Sequence, residues 1–208
     1  SLFCLLVAFA KTQDLPRKGV NLTWQNMAYF SSSAAFTDAM KQSSDWYGEF
    51  SSPLGEHGYP IALGPDEFAQ RFIFLETVHY PLGEYTLKWE GSGSLMISTS
   101  GDGDFVFGPG STPEQVIPVT NIPTDEGIML TILETDPADP IRNVRFFLPG
   151  YDENSSYWTD HYIDFHAQFG VTRFAWGSGM YSPQQDWEQR SRAEDISWSD
   201  SDLDPLEN

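Results

Sequence analysis

Apolar and polar side chains alternate with a period of two through the middle of the chain. Successive side chains of a β-strand point to opposite faces, so this pattern predicts short strands that each bury one face. Trp89 falls on the apolar face of one run and is predicted to lie in the core. The runs cover residues 68–80, 85–89, 94–97, 105–107, 115–120, 128–135 and 143–148.

Glycine, proline and aspartate separate these runs at residues 81–83, 91–93 and 101–103. These residue types favour turns because of their backbone preferences and short side chains. Short strands with such turns between them are typical of antiparallel sandwiches. The pattern therefore predicts a mainly β protein, with an antiparallel, jelly-roll-like β-sandwich over residues 61–150.

An N-terminal segment, residues 14–60, precedes the predicted sandwich and contains a stretch with helical spacing. Ser33 is a residue type that caps helices, and apolar residues follow at Phe36, Ala39 and Met40. This spacing predicts a short amphipathic helix over residues 34–45.

After Gly150 the pattern changes from β to α/β. Tyr162, Phe165 and Phe169 lie three and four residues apart, which predicts a helix that ends at Gly170. Residues 171–176 then predict a short buried strand. Because a helix that leads directly into a strand is typical of α/β domains, residues 151–208 are predicted to begin a barrel-like unit that stays incomplete.

The two ends of the sequence are unusual. Residues 2–10 are apolar and end in Ala8-Phe9-Ala10, which predicts that residues 1–13 are a truncated secretory signal peptide. The alternative is a mature apolar strand or helix that packs on this domain or a neighbour. The acidic segment 184–208 is typical of a solvated loop, but its Trp187 and Trp198 predict packing against something.

Charge and cysteine content exclude several classes of function. The 208 residues include 30 acidic and 11 basic side chains, a formal net charge of −19. Such a surface repels phosphate backbones and anionic membranes, so neither nucleic acid nor membrane is expected as a partner. The single cysteine, Cys4, excludes a disulfide scaffold and a cysteine-based zinc site.

Two sequons, at Asn21 and Asn154, match the acceptor pattern for N-glycosylation. With the signal-like start they predict a secreted, extracellular glycoprotein. Metal and cofactor signals are weak by comparison. Calcium is a minor alternative, because aspartates cluster in turns at Asp102, Asp104, Asp136 and Asp139, but these residues also favour turns for backbone reasons.

No catalytic residues can be assigned from the sequence. It contains no G-x-S-x-G elbow, P-loop, dinucleotide fingerprint or helical zinc pair, and His161 and His166 lie five residues apart. Glycosidases use two carboxyl groups, and thirty acids do not identify such a pair. Exposed aromatic rings could instead stack on sugars, and the candidates are Trp24, Trp46, Trp158, Trp176 and Trp187.

Several segments, in order, resemble large secreted bacterial proteins of the cellulose-binding, glycoside-hydrolase-like family. The order and spacing of these segments cover nearly all of the chain after the predicted signal. The matching residues are 19–22, Phe36, Asp38, Lys41, Gln42, Trp46, 80–85, 143–145, 148–151, Arg173, Phe174, Ser182, Pro183, Trp187 and Arg190.

The resemblance implies an N-terminal β-sandwich placed before or around a (β/α)₈ barrel. Residues 171–176 would be the first barrel strand, with Arg173 and Trp176 at the sugar-binding rim. The family's Ser-Asn-Glu motif would lie beyond Asn208, and no Asn-Glu dipeptide occurs in this sequence. The family usually has Arg-Phe-Met-Asp-Trp and an Asn-rich loop here, and their loss is compatible with a non-catalytic relative.

The sequence thus predicts a secreted carbohydrate-active protein, the N-terminal part of a glycoside-hydrolase-like protein. The predicted glycan-binding residues are Arg173, Trp176, Trp187 and Trp24, and the catalytic carboxylates are not expected in this chain. Two alternatives stay open. One is a stand-alone carbohydrate-binding module, and the other is a structural glycoprotein that self-associates into filaments by strand donation.

Overall fold

A computed structural model describes residues 18–22, 27–31, 33–75, 80–121, 127–174 and 195–196. This part of the chain contains nine strands, a 3₁₀ helix at Ala39–Gln42 and an α-helix, α1, at Asp160–Ala167. No helix within these ranges is long and apolar enough to span a membrane. The strands are β1 (Gly19–Leu22), β2 (Ala69–Phe74), β3 (Gly83–Glu90), β4 (Gly93–Thr99), β5 (Gly103–Phe107), β6 (Glu114–Val119), β7 (Ile128–Thr135), β8 (Arg142–Phe147) and β9 (Val171–Phe174).

Seven of the strands form two antiparallel sheets, so the protein is mainly β as predicted. One sheet has the order β2-β7-β4-β5, and the other has the order β6-β3-β8. Each predicted run between residues 68 and 148 overlaps one of these strands. The period-two pattern located them because successive side chains of a strand point to opposite faces, one of which packs toward the core.

Both sheets contribute their apolar faces to one core. In β3, Tyr85, Leu87 and Trp89 are buried, while the residues between them are partly or fully exposed. In β4, Leu95 and Ile97 are buried in the same way. These side chains belong to one cluster with residues from β2, β6, β7 and β8, and the predicted core position of Trp89 is confirmed at 7 % exposure. Each sheet therefore has a second face that points away from this core.

The predicted helix over residues 34–45 is wrong. Only Ala39–Gln42 are helical, in a 3₁₀ turn, and the residue that caps it is Asp38 rather than Ser33. The flanking chain is extended, because it pairs with strands instead. Asp38 bridges to Phe147 in β8, and Tyr47 bridges to Gln70 in β2. Tertiary pairing thus replaces the helical hydrogen bonds that the apolar spacing suggested.

The Asp38 carboxyl group fastens this segment to the three-stranded sheet. Its Oδ1 accepts a hydrogen bond from the backbone N–H of Met40 at 3.2 Å and from that of Phe146 at 2.9 Å. Burial raises the pKa of Asp38, and the nearby Lys41 ammonium partly offsets this effect. The segment is therefore held by an interaction between residues that are 108 positions apart.

The α1 helix follows as predicted, and Thr159 caps it by accepting from the N–H of Tyr162 at 3.3 Å. Tyr162 and Trp158 stack at a ring distance of 5.1 Å, and Trp158 stacks on Phe36 at 4.8 Å. The helix is thereby joined to the N-terminal segment through aromatic rings.

β9 pairs in parallel with β1, which brings residues 171–174 beside residues 19–22. The register places Asn21 opposite Arg173 and Leu22 opposite Phe174. The prediction of a buried strand is wrong at Val171, which is 66 % exposed. Among the described residues β9 pairs with β1 alone, which leaves this side chain in contact with water.

Substitutions at Asp38 should show how its buried carboxyl group affects stability. Asp38→Ala removes the acceptor for two backbone N–H groups and should lower the free energy of unfolding by about 1–3 kcal/mol. Asp38→Asn keeps an acceptor oxygen. Because the folded pKa of Asp38 is raised, its contribution to stability is full at low pH and is lost as pH rises through that pKa.

The stability of Asp38→Asn relative to the native protein should therefore increase from pH 4 to pH 8. Urea unfolding of the native chain and both variants across this range is the measurement. A difference between Asp38→Asn and the native protein that stays constant with pH would contradict the assignment.

Candidate functional site

Three aromatic rings form a row on the face of the four-stranded sheet that points away from the core. We call Tyr29, Tyr47 and Phe72 the aromatic platform. The rings of Tyr47 and Phe72 are 5.4 Å apart, and those of Tyr29 and Phe72 are 6.3 Å apart and nearly parallel. Tyr47 is 47 % exposed, and the other two residues are partly exposed. Tyr29 and Phe72 stack on each other and Tyr47 lies at 60° to Phe72, so Tyr47 supplies most of the ring surface that the platform presents to solvent.

Backbone hydrogen bonds fix Tyr47 beside the sheet. Its N–H donates to the carbonyl of Gln70 and its carbonyl accepts from the N–H of Gln70, both at 2.8 Å. The chain then turns at Gly48, where φ is +117° and a Cβ atom would lie 2.5 Å from the carbonyl oxygen of Phe68. Only glycine fits this turn, which brings Tyr47 to its place at the edge of β2.

A groove of about 440 Å³ begins at Phe72, on the same face of the sheet. The strand register places Ser98 of β4 opposite both Met129 of β7 and Asp104 of β5. One wall is therefore apolar, and the other carries hydroxyl and carboxylate groups. The residues that line these two walls are Phe72, Leu75, Met129, Ser98, Ser100 and Asp104.

Asp102 has a structural role within its turn. Its carboxylate oxygens accept hydrogen bonds from the backbone N–H and the hydroxyl of Thr120 and from the backbone and side-chain N–H groups of Asn121, at 2.6–3.1 Å. These donors, foremost the Thr120 hydroxyl, lower the pKa of Asp102. The carboxylate thus joins the β4–β5 turn to the end of β6.

Calcium binding at the aspartate-rich turns stays a prediction. Asp139 accepts a hydrogen bond from Arg142 at 2.7 Å, and Asp136 accepts one from the N–H of Ala138 at 2.9 Å. Within the described ranges, no three His, Cys, Asp or Glu side chains form a group suited to a metal ion.

Most of the residues predicted to bind glycan lie outside the described part of the chain. Trp24, Trp176 and Trp187 belong to segments that the structure does not describe, and Arg173 and Asn21 are described only through their backbone in the β1–β9 pair. Their side-chain roles therefore stay predictions. Trp24 and Trp176 each follow a strand by two residues, and the two strand ends, Leu22 and Phe174, are register partners.

The candidates Trp46 and Trp158 are engaged by the protein. Arg71 lies over the Trp46 ring at 5.0 Å, and the indole N–H donates to the carbonyl of Gly58 at 2.6 Å. Trp158 stacks between Phe36 and Tyr162. Because neighbouring side chains occupy these ring faces, we do not assign either tryptophan to sugar stacking.

Sequence reasoning missed the aromatic platform. In the structure Phe72 sits between the buried residues Arg71 and Ile73 and faces outward. The sequence did not show this, because alternation places Phe72 on the same face as Phe74, and the register shift between these two residues is not visible in the sequence. The partners of Phe72 were not visible either, because Tyr29 and Tyr47 come from irregular segments more than 20 residues earlier in the chain.

No protein-family model, curated protein or solved structure matches this chain. The resemblance to secreted glycoside-hydrolase-like proteins is therefore a prediction that no relative supports. The geometry of the platform and the groove provides the grounds for a functional proposal.

The exposed sequon at Asn154 gives a test of secretion. Asn154 lies in a turn in which its backbone N–H donates to Asp152 at 2.9 Å, and the residue is exposed. When the chain enters a eukaryotic secretory pathway, we expect a glycan at this position, removed in Asn154→Gln and by an N-glycosidase. Intact-mass spectrometry measures both losses. A mass equal to the bare polypeptide for the secreted native chain would contradict the prediction.

Proposed function

We propose that this protein is a secreted carbohydrate-binding protein whose aromatic platform stacks on sugar rings. The observation that carries the proposal is the row of rings, Tyr29, Phe72 and Tyr47, beside a groove with polar groups. The C–H faces of a pyranose are apolar and flat, and an exposed aromatic ring offers them a matching surface. Sugar hydroxyls then require polar partners at the ring edge.

Ser98 and Asp104 supply such partners. The strand register holds them side by side on the outer face, where Ser98 lies two strands from Phe72, across β7, and Asp104 lies three strands from it. A hydroxyl group both donates and accepts, so the Ser98 hydroxyl and the Asp104 carboxylate suit a neutral sugar. The net charge of −19 also favours a neutral ligand over a phosphate-bearing polymer.

We further propose that the two antiparallel sheets form a jelly-roll-like β-sandwich. The single cluster of buried residues drawn from both sheets supports this arrangement. In a sandwich the outer faces remain open to solvent, and the platform lies on one of them.

The parallel β1–β9 pair favours a second element of the proposed function, a (β/α)₈ barrel of the glycoside-hydrolase-like type. Parallel strands require a crossover connection, and α1 lies in the chain between these two strands. In this proposal β1 is the first barrel strand and β9 the second, with the sandwich inserted between them. This differs from the expectation that residues 171–176 come first.

Barrel enzymes bind ligands beyond the carboxyl ends of their strands. Trp24 and Trp176 follow the paired ends of β1 and β9, so both belong to the proposed sugar-binding rim. Arg173 and Trp187 are proposed as further contacts, and no catalytic residue is assigned.

Loss of the Tyr47 ring should weaken glycan binding. We expect Tyr47→Ala to reduce the affinity for a neutral polysaccharide about tenfold, because truncating a central aromatic side chain of a binding surface typically has an effect of this size. Tyr47→Phe should retain most of the affinity, since the ring is kept. Affinity electrophoresis against soluble cellulose, xylan and mannan derivatives measures the change.

The matched control is Leu82→Ala, which removes another apolar side chain of 47 % exposure. This control should bind like the native protein. Equal affinity for Tyr47→Ala and Leu82→Ala, with both variants folded, would refute the platform as the binding surface.

The strand-end tryptophans are tested in the same assay. Trp176→Ala and Trp24→Ala should each reduce affinity for the same polysaccharide if the rim contributes to binding. Trp198→Ala, a tryptophan of the acidic C-terminal segment with no proposed contact to sugar, serves as their control. Native-like binding in both strand-end variants would remove the rim from the proposal and leave the platform.

A further inference from the structure

A second set of converging polar groups lies on the outer face of the other sheet. Here β3 and β8 border a groove of about 400 Å³, which we call the bulge groove. Pro113 and the edge of Trp89 supply its apolar part. Its charged and amide groups are those of Lys88, Glu90, Asn143, Arg145, Glu114 and Glu153.

A β-bulge shapes this groove. Lys88 pairs with Arg145 and Glu90 pairs with Arg142, so one residue of β3 faces two residues of β8 between these pairs. Asn143, within the bulge, has φ of +49°, a left-handed conformation that asparagine tolerates better than most residues. Bulges interrupt the regular alternation of side chains and redirect them. Asn143 and Arg145, two residues apart on β8, share its outward face, and the bulge brings both Arg142 and Asn143 beside Glu90.

The Asn143 amide holds two charged groups in fixed positions. Its Nδ2 donates to Oε1 of Glu90 at 2.8 Å, and its Oδ1 accepts from Nε of Arg145 at 3.0 Å. The Asn143 amide thus links the Glu90 carboxylate, which is an acceptor, to the Arg145 guanidinium, which is a donor. Hydrogen bonding to Asn143 limits the freedom of both neighbours before any ligand arrives.

The other charges of the groove have ion partners, whereas Arg145 has none in the part of the chain that the structure describes. Lys88 lies 2.9 Å from Glu153 and 3.3 Å from Glu114, and Glu90 lies 3.4 Å from Arg142. Among the described residues no carboxylate lies within 4.0 Å of the Arg145 guanidinium. The outer N–H groups of Arg145 are therefore donors that remain for a ligand.

We propose that the bulge groove binds adjacent hydroxyl groups of a neutral sugar residue. One hydroxyl accepts from Arg145 and its neighbour donates to Glu90, while Asn143 keeps the two groups at a constant spacing. A uronic acid fits less well, since its carboxylate would face Glu90, Glu114 and Glu153. The ligand class rests on the proposed function, but the site is separate from the aromatic platform, which lies on the other sheet.

The test is calorimetric titration of the full chain with cellohexaose, xylohexaose and hexagalacturonate. A neutral hexasaccharide should bind at the bulge groove in addition to the sites of the proposed function. Arg145→Gln and Asn143→Gly should each weaken one site about tenfold or more, as expected for hydrogen bonds to charged groups. Glycine suits the left-handed backbone at residue 143, so that variant removes the amide without straining the bulge.

Glu84→Gln is the matched control, because Glu84 is exposed on the same strand but does not line the groove. It should bind like the native protein. Thermal unfolding of every variant verifies that binding is compared between folded chains, and Asn143→Gly keeps the inference testable if Arg145→Gln does not fold.

The outcomes separate the two proposals. If Arg145→Gln and Asn143→Gly bind like the native chain while Tyr47→Ala loses all binding, the groove is refuted and the platform stands. If only the groove variants lose binding, the groove stands and the platform is refuted. Tighter binding of hexagalacturonate than of neutral sugars at the groove would overturn the ligand class, and no binding of any probe would overturn both proposals.

Discussion

Burial of one face of each antiparallel sheet in a shared core is the constraint on which this structure depends. The core side chains of β3 and β4 alternate with residues that remain in contact with water. Each strand contributes apolar area on one side, where removal from water stabilises the fold. The opposite side of each strand faces solvent, where aromatic rings, charged groups and hydroxyl groups can lie. The aromatic platform and the bulge groove both lie on such solvent-facing sides.

The segment before the sheets links this core to the surface. Asp38 binds the N–H of Phe146 at one end, and Tyr47 pairs with Gln70 at the other. The stretch from Asp38 to Tyr47, which includes the 3₁₀ helix, therefore spans from β8 of one sheet to β2 of the other. This stretch buries the carboxyl group of Asp38, which is unfavourable, and it positions the ring of Tyr47 at the aromatic platform. The contacts that fix the stretch therefore also fix a residue of the proposed binding surface.

The strands could be predicted from the sequence because alternation is a local property. Residues 128–135, for example, coincide with β7 at both ends. The prediction of a helix over residues 34–45 was wrong because contacts with distant residues, and not a local pattern, set the conformation there. Phe36, Ala39 and Met40 have helical spacing, but hydrogen bonds to residues in β2 and β8 decide the conformation. No pattern within twelve residues carries information on a partner 108 positions away.

The site was harder to predict than the fold, and the reason is also physical. Tryptophan is the ring most associated with sugar stacking, yet the rings of Trp46 and Trp158 are used inside the protein. The exposed rings belong instead to tyrosine and phenylalanine, brought together by chain segments of different kinds. Asn143 illustrates the same limit, since its sequence neighbours predict a strand but do not predict the bulge that places it beside Glu90.

Charge and shape together restrict what these faces can bind. A chain with 30 acids and 11 bases repels anions at long range, whatever a local guanidinium offers. At short range several of its acids are held by their own neighbours, as Glu153 is by Lys88 and Asp102 by Thr120. What remains for a ligand are ring faces, hydroxyl groups and a few fixed donors and acceptors. Neutral polyhydroxylated molecules match that set, because they bring apolar ring faces and paired hydroxyl groups without an added charge.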